Sequence, residues 1–145
     1  VAFKIPVSVL VVIHTPDLQC LLIERARHPG FWQSVTGSLD SLEESPVLAA
    51  AREVAEETGI DVAAPGHLLR DWQESQWYDI FPEWRERYAL GVTRNLEHVF
   101  SLEIPAPCQV ILSPGEHIAQ CWLPQREAAE KVFSPTNRSA ILRLR

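Results

Sequence analysis

Three glutamates crowd one short stretch of this chain, in the order Arg52-Glu53-Val54-Ala55-Glu56-Glu57. On a helix, residues three and four apart are neighbours, so Glu53 would share a face with Glu56 and Glu57, at a cost of about 0.2–0.5 kcal/mol per like-charge pair. A cation placed there relieves that repulsion. Hard divalent ions prefer oxygen ligands, and Mg²⁺ in particular takes one or two protein carboxylates, keeps several waters and shares substrate phosphates. Such an ion neutralises phosphate charge and acidifies a bound water, which is the chemistry of phosphoanhydride hydrolysis. Arg52 reaches Glu56 at the four-residue spacing and would orient one acid while the others hold metal. Taken alone, the same run also reads as a solvated acidic helix face, since charge runs commonly face water.

The helix itself is well marked. Ser45-Pro46 is a start signal and Gly59 a stop signal, which predicts a helix over residues 46–58. Val47, Ala50, Ala51 and Val54 follow the spacing of a buried face, with Glu53, Glu56 and Glu57 directed elsewhere. Upstream, residues 7–13 form a β-branched run that reads as a strand buried on both faces, with residues 20–25 as its hairpin partner. Residues 31–36 read as a short strand ending at Gly37, where the missing Cβ would permit an unusual backbone angle. Downstream, residues 62–72 lead into another strand, residues 88–92, 97–102 and 120–123 read as extended, and residues 125–132 and 137–144 as helical. Strands first, one central helix and terminal helices imply an α/β fold with a mixed sheet, in a single domain spanning residues 1–145.

Composition narrows the function classes. A formal net charge of −6 over 145 residues argues against a broad basic surface for nucleic acid. No apolar run approaches the roughly 20 residues needed to cross a bilayer. Cys20, Cys108 and Cys121 are odd in number and widely spaced, which fits unpaired thiols in a reducing, cytoplasmic compartment. The five tryptophans, at positions 32, 72, 77, 84 and 122, either pack in the core or offer a stacking surface, and packing is the default. His14, His28, His67 and His98 show no zinc spacing, and His117 stands out only by following Glu116.

The run R-E-V-A-E-E-T-G-I over residues 52–60 resembles the second half of the Nudix box, R-E-U-x-E-E-x-G-U with U aliphatic, and every constrained position matches. Gly37 stands in the place of the box's first glycine. Glu44 keeps the seven-residue spacing to Arg52 but lies one residue farther from Gly37 than the family pattern, whereas Glu43 would put the irregularity inside the helical register. Glu44 is therefore the better match, because a loop absorbs an extra residue more easily than a helix does. The loop 38–42 also lacks the glycine that commonly precedes this Glu.

The resemblance implies the Nudix fold, an α/β/α sandwich with a mixed β-sheet, and a Mg²⁺-dependent pyrophosphohydrolase, with Mn²⁺ as a possible substitute. Residues 4–8, 31–38, 87–95, 116–117 and 137–138 are similar to a bacterial branch of the family that acts on a pterin triphosphate in folate synthesis and accepts dATP. It further implies Glu53, Glu57 and Glu116 as metal ligands, Glu116 alternatively as general base, with Glu56 and Arg52 as supporting catalytic residues. Lys4, Arg25, Thr36 and Thr136 fall where the family contacts substrate, and Tyr78, Asp79, Ile80 and Phe81 where the ring is held. The implied partner is a small-molecule triphosphate, with no nucleic acid and no membrane; oligomeric state is left open. Two alternatives stand beside it: a house-cleaning (d)NTP pyrophosphatase, and a nucleotide-sensing module that binds without hydrolysis.

Overall fold

The computed structural model describes residues 2–145 of the chain. In chain order its elements are Val7–His14 (β1), Gln19–Arg25 (β2), Trp32–Gln33 (β3), Val35–Ser38 (β4), Pro46–Thr58 (α1), Leu68–Asp79 (β5), a 3-10 turn at Pro82–Arg87, Arg94–Glu103 (β6), His117–Pro124 (β7), Gln125–Lys131 (α2) and Pro135–Leu142 (α3). The strands join in one seven-stranded mixed sheet. β1 runs parallel to β6 along its whole length, and β6 pairs antiparallel with β5.

The sheet forks, and the fork makes the site. β1 and β2 pair only at His14↔Cys20; beyond that point β1 pairs with β4, from Ser8↔Ser38 to Val11↔Val35, while β2 pairs with β3 and β7. The chain crosses from one branch to the other at Ser34, which splits the single strand expected over residues 31–36. Alternation along β1 sends Val9, Val11 and Ile13 into a core with Ala49, Ala50 and Val54 of α1, and Leu10 and Val12 into a second core with Ala128, Ala140 and Ile141 of α2 and α3. Helices thus cover both faces, giving the expected α/β/α layering.

α1 begins and ends where its signals place it. Ser45 accepts the Leu48 N–H at 3.3 Å, Pro46 occupies the first turn, and Gly59 closes the helix in the left-handed region at φ +74°. Its buried face, however, is rotated from the expected one. Ala49, Ala50, Val54, Glu57 and Thr58 are buried, whereas Val47 is 44 % exposed. Three consecutive alanines made the stripe ambiguous, because small side chains fit either register. The consequence is chemical: Glu57 points into the protein, and of the three acids Glu56 is the exposed one.

The stretch 88–92 is a turn rather than a strand. Pro82 starts the 3-10 turn before it, and Gly91 adopts φ +89° within it. No helix is long and apolar enough to cross a membrane among the described residues.

Candidate active site

The open mouth of the fork is a cavity of about 550 Å³ that gathers side chains from both branches of the sheet and from α1. Its acids are Asp40, Glu53, Glu57 and Glu116, and its cations Lys4, Arg25, Arg27 and Arg87. Glu57 is 3 % exposed, and its Oε1 has no hydrogen-bond partner among the described residues. Burial raises its pKa well above the usual carboxylate range, and the neighbouring Glu53 and then Glu116 push it further. Burial also raises Glu53, against the pull of Glu57 and Arg52. His117 Nε2 lies 3.7 Å from Glu57 Oε1, but burial lowers its pKa, so at neutral pH this is a contact with an uncharged imidazole rather than an ion pair.

Gly37 serves the site through space rather than through backbone freedom. Its φ is not in the left-handed region, contrary to the expectation from sequence. A Cβ there would lie 2.1 Å from Glu53 Cδ, so the strand must present bare backbone for the carboxylate to sit where it does.

Arg52 organises the acids from the solvent side. Its Nε and one terminal nitrogen make a two-pronged pair with Glu44 at 2.9 and 3.0 Å, and its other terminal nitrogen meets Glu53 at 2.8 Å and Glu56 at 3.2 Å. It also donates to the Ser38 carbonyl at 3.0 Å. Glu44, which in turn accepts the Asp40 N–H at 2.8 Å, is thereby the acid that ties the long loop to the helix.

An orphaned buried oxygen on Glu57, a crowded Glu53 beside it and a glycine that leaves the pair open together fit a divalent cation. Glu53 and Glu57 would hold it. The expected trio is not assembled: among the described residues no three of His, Cys, Asp and Glu converge as a ready ligand set. Glu116 lines the same cavity from an exposed position after Gly115, whose φ is +83°, and stands on the rim. Two protein carboxylates suffice for an ion that completes its shell with water and phosphate.

A second, mostly apolar cavity of about 270 Å³ adjoins the first and shares Arg25, Gln33, Thr36, Tyr78 and Trp84 with it. Asp79, Phe81 and Thr136 line it, as do Leu10, Glu97 and Phe133. Phe81 stacks on Trp84 with centroids 4.9 Å apart, and Arg25 lies 4.7 Å over the Trp84 ring. Ser34 and Asn137 fix the start of α3 to the β3–β4 crossing through two buried hydrogen bonds of 2.8 and 2.9 Å, which sets Thr136 at the cavity wall. Ile80 does not belong here: it is 2 % exposed and packs inward, lining neither cavity. Its neighbours Asp79 and Phe81 reach the cavity instead, at the end of β5 and just beyond it.

Lys4 lies in the first cavity with its pKa lowered to about 8, by burial first and then by the Arg87 and Arg25 charges. Phosphate oxygens would reverse that shift. Arg87, Trp84, Gln33 and Glu97 were not among the expected site residues, although Arg87 and Gln33 fall within the resembling segments and Trp84 among the candidate stacking rings. They reach the site through the 3-10 turn, β3 and β6.

Glu97 is 4 % exposed, and burial raises its pKa above the ordinary glutamate value despite hydrogen bonds from Gln76 and Thr136. The folded form therefore keeps its proton at a pH where the unfolded chain has lost it. The associated stability is full below about pH 4.5 and is lost as pH rises through the folded value. Glu97→Gln should raise Tm at pH 7–8 and leave it nearly unchanged near pH 4. Parallel melting curves at the two pH values check this, and an equal shift at both would rule it out.

The fork, the buried acid pair and the box residues define a class. A NUDIX domain model matches residues 4–144, and the chain belongs to the Nudix family. It is 46 % identical over 140 residues to the dihydroneopterin triphosphate diphosphatase of Escherichia coli, covering 96 % of this chain and 91 % of that protein. It is 40 % identical over 135 residues to the Haemophilus influenzae protein of the same name, covering 92 % of this chain and 84 % of that one. The solved structure of the E. coli dihydroneopterin triphosphate pyrophosphohydrolase superposes with a TM-score of 0.90 at 44 % identity, covering 97 % of this chain and 95 % of that one.

Proposed function

We propose that this chain hydrolyses dihydroneopterin triphosphate to dihydroneopterin monophosphate and pyrophosphate, a step of folate biosynthesis, using Mg²⁺ and with side activity on dATP and other (d)NTPs. The observation that carries the reading is the two-part cleft. A charged cavity with the acid pair opens into an aromatic cavity of ring size, and Arg25, Thr36 and Tyr78 line both. A flat heterocycle bearing a triphosphate is the shape and polarity that this cleft accommodates. The names of the E. coli and H. influenzae relatives point the same way.

Glu53 and Glu57 would hold the cation, which when bound neutralises phosphate charge and acidifies a water for attack at phosphorus. The chain's own groups do the rest. Lys4, Arg25 and Arg87 supply positive charge for phosphate oxygens, and the Gln33 carbonyl holds the Arg25 guanidinium by a 3.1 Å hydrogen bond. Arg52 holds Glu53 and Glu56 in place and balances their charge. Glu116 and His117 line the same cavity, and in this reading Glu116 would accept a proton and His117 would contact phosphate. Phe81, Trp84 and Phe133 exclude water around the ring.

Pyrophosphate release by the purified chain with Mg²⁺ tests the reading. The kcat/KM for dihydroneopterin triphosphate should exceed that for dATP. A strong preference for dATP would favour a general (d)NTP pyrophosphatase, and binding without release would make the chain a sensor.

A further inference from the structure

Among the described residues Arg25 is the only cation that lines both cavities, and no carboxylate holds it in an ion pair. Its Nε is buried without a hydrogen-bond partner, and burial and the nearby Arg87 charge both oppose its own charge. Two contacts place the guanidinium. Gln33 Oε1 accepts from one terminal nitrogen at 3.1 Å, and the Trp84 ring lies beneath it at 4.7 Å. Where Trp84 stands therefore decides where this charge stands. Trp84 belongs to the 3-10 turn Pro82–Arg87, a short element whose own hydrogen bonds are too poor to fix a ring. The ring is anchored from outside: its Nε1–H donates to His28 Nε2 at 2.9 Å, in the loop between β2 and β3. Nε2 is thus the unprotonated imidazole nitrogen, and Nδ1 carries the hydrogen. His28 is fixed in turn, because its carbonyl accepts the Phe31 N–H at 3.0 Å and its ring packs on Phe31 with centroids 5.7 Å apart.

We infer that His28 is a positioning residue for phosphate binding. By accepting the Trp84 N–H it ties the β2–β3 loop to the 3-10 turn and holds the indole beneath Arg25, so that the guanidinium presents its unpaired nitrogens to the triphosphate. His28 lines neither cavity, so it acts through Trp84 rather than by touching the substrate. This rests on the reading of Arg25 as a phosphate-binding cation. Aromatic packing alone would be served by any ring at position 28. The indole N–H requires an acceptor there, and that requirement distinguishes positioning from packing.

His28→Phe and His28→Gln separate the two roles. Phenylalanine keeps a ring against Phe31 and Trp84 but cannot accept, whereas glutamine loses the ring and carries an oxygen at the reach of Nε2. With Mg²⁺ and dihydroneopterin triphosphate, His28→Phe should raise KM about 3–10-fold, the loss of one hydrogen bond, with kcat within about twofold of wild type. His28→Gln should stay within about twofold of wild type in both constants. In an Arg25→Leu background the further effect of His28→Phe should shrink to less than about twofold, since the residue it positions is gone. Without metal, tripolyphosphate should bind His28→Phe more weakly by the same factor as the rise in KM, while neopterin binding stays close to wild type. Should His28→Phe fail to fold, Trp84→Phe removes the donor instead and must show the same split between tripolyphosphate and neopterin. A loss in His28→Gln equal to that in His28→Phe, an effect undiminished without Arg25, or equal losses of tripolyphosphate and neopterin binding overturns the inference. If the wild-type chain releases no pyrophosphate from any triphosphate, the proposed function fails on its own, and the two metal-free titrations still decide the role of His28.

Discussion

Glu57→Gln should lower kcat on the order of 10³-fold while leaving the fold intact, a loss comparable to removing a principal electrostatic contributor from an enzyme site. The substitution keeps volume and shape but removes the charge that would hold a divalent cation. In the metal-free protein the same change should be neutral or stabilising. Glu57 is 3 % exposed beside Glu53, and an uncompensated carboxylate there opposes folding. Added Mg²⁺ should then raise the Tm of wild type more than that of the variant, because at a given ligand concentration tighter binding stabilises the fold more. Pyrophosphate release at saturating Mg²⁺ and melting curves with and without the ion provide both readings. Near-normal turnover by the variant would remove Glu57 from the metal site. A variant that fails to fold would instead make its role structural.

What the sequence made legible, and what it did not, divides along local against non-local causes. α1 was readable to the residue because Ser45, Pro46 and Gly59 act within a turn of their own positions. β1 was readable because a two-face-buried strand needs an unbroken apolar run. Which way α1 faces was not readable, since Ala49, Ala50 and Ala51 leave the stripe undetermined until the sheet supplies its other side. The acid helix alone left a metal site and a solvated face equally open, and burial of Glu57 against the fork removes the solvated face for that acid. The ring end was only partly visible. Phe81 and Thr136 were identified by resemblance, whereas Trp84 depends on the 3-10 turn and Glu97 on the β5–β6 register, neither of which has a local signature. Tyr78 and Asp79, identified like Phe81 by resemblance, belong to β5, whose second half lies beyond the strand expected to begin within residues 62–72.

Gly37→Ala should cost roughly 10²-fold in turnover with little loss of stability, through a misplacement of about 1 Å at the reacting centre. The added Cβ would lie 2.1 Å from Glu53 Cδ and 2.3 Å from both of its oxygens, so one side must move. β4 cannot readily do so, because Gly37 pairs with Val9 in the middle of the β1–β4 ladder. The far end of Glu53 is the flexible partner, and it yields by rotating away from Glu57. The fold therefore tolerates the change, while the acid pair loses its spacing. A double-mutant cycle isolates this cause. If Gly37 acts by making room for the Glu53 carboxylate, Gly37→Ala should cost much less in a Glu53→Gln background that has already lost the charge, a non-additivity expected only for residues acting through a shared contact. Half-saturating Mg²⁺ should rise in the single variant, whereas metal-free neopterin binding, which depends on the aromatic cavity, should stay close to that of wild type. Full additivity of the two substitutions, or a loss of neopterin binding equal to the loss of turnover, would show that Gly37 supports the strand rather than the acid.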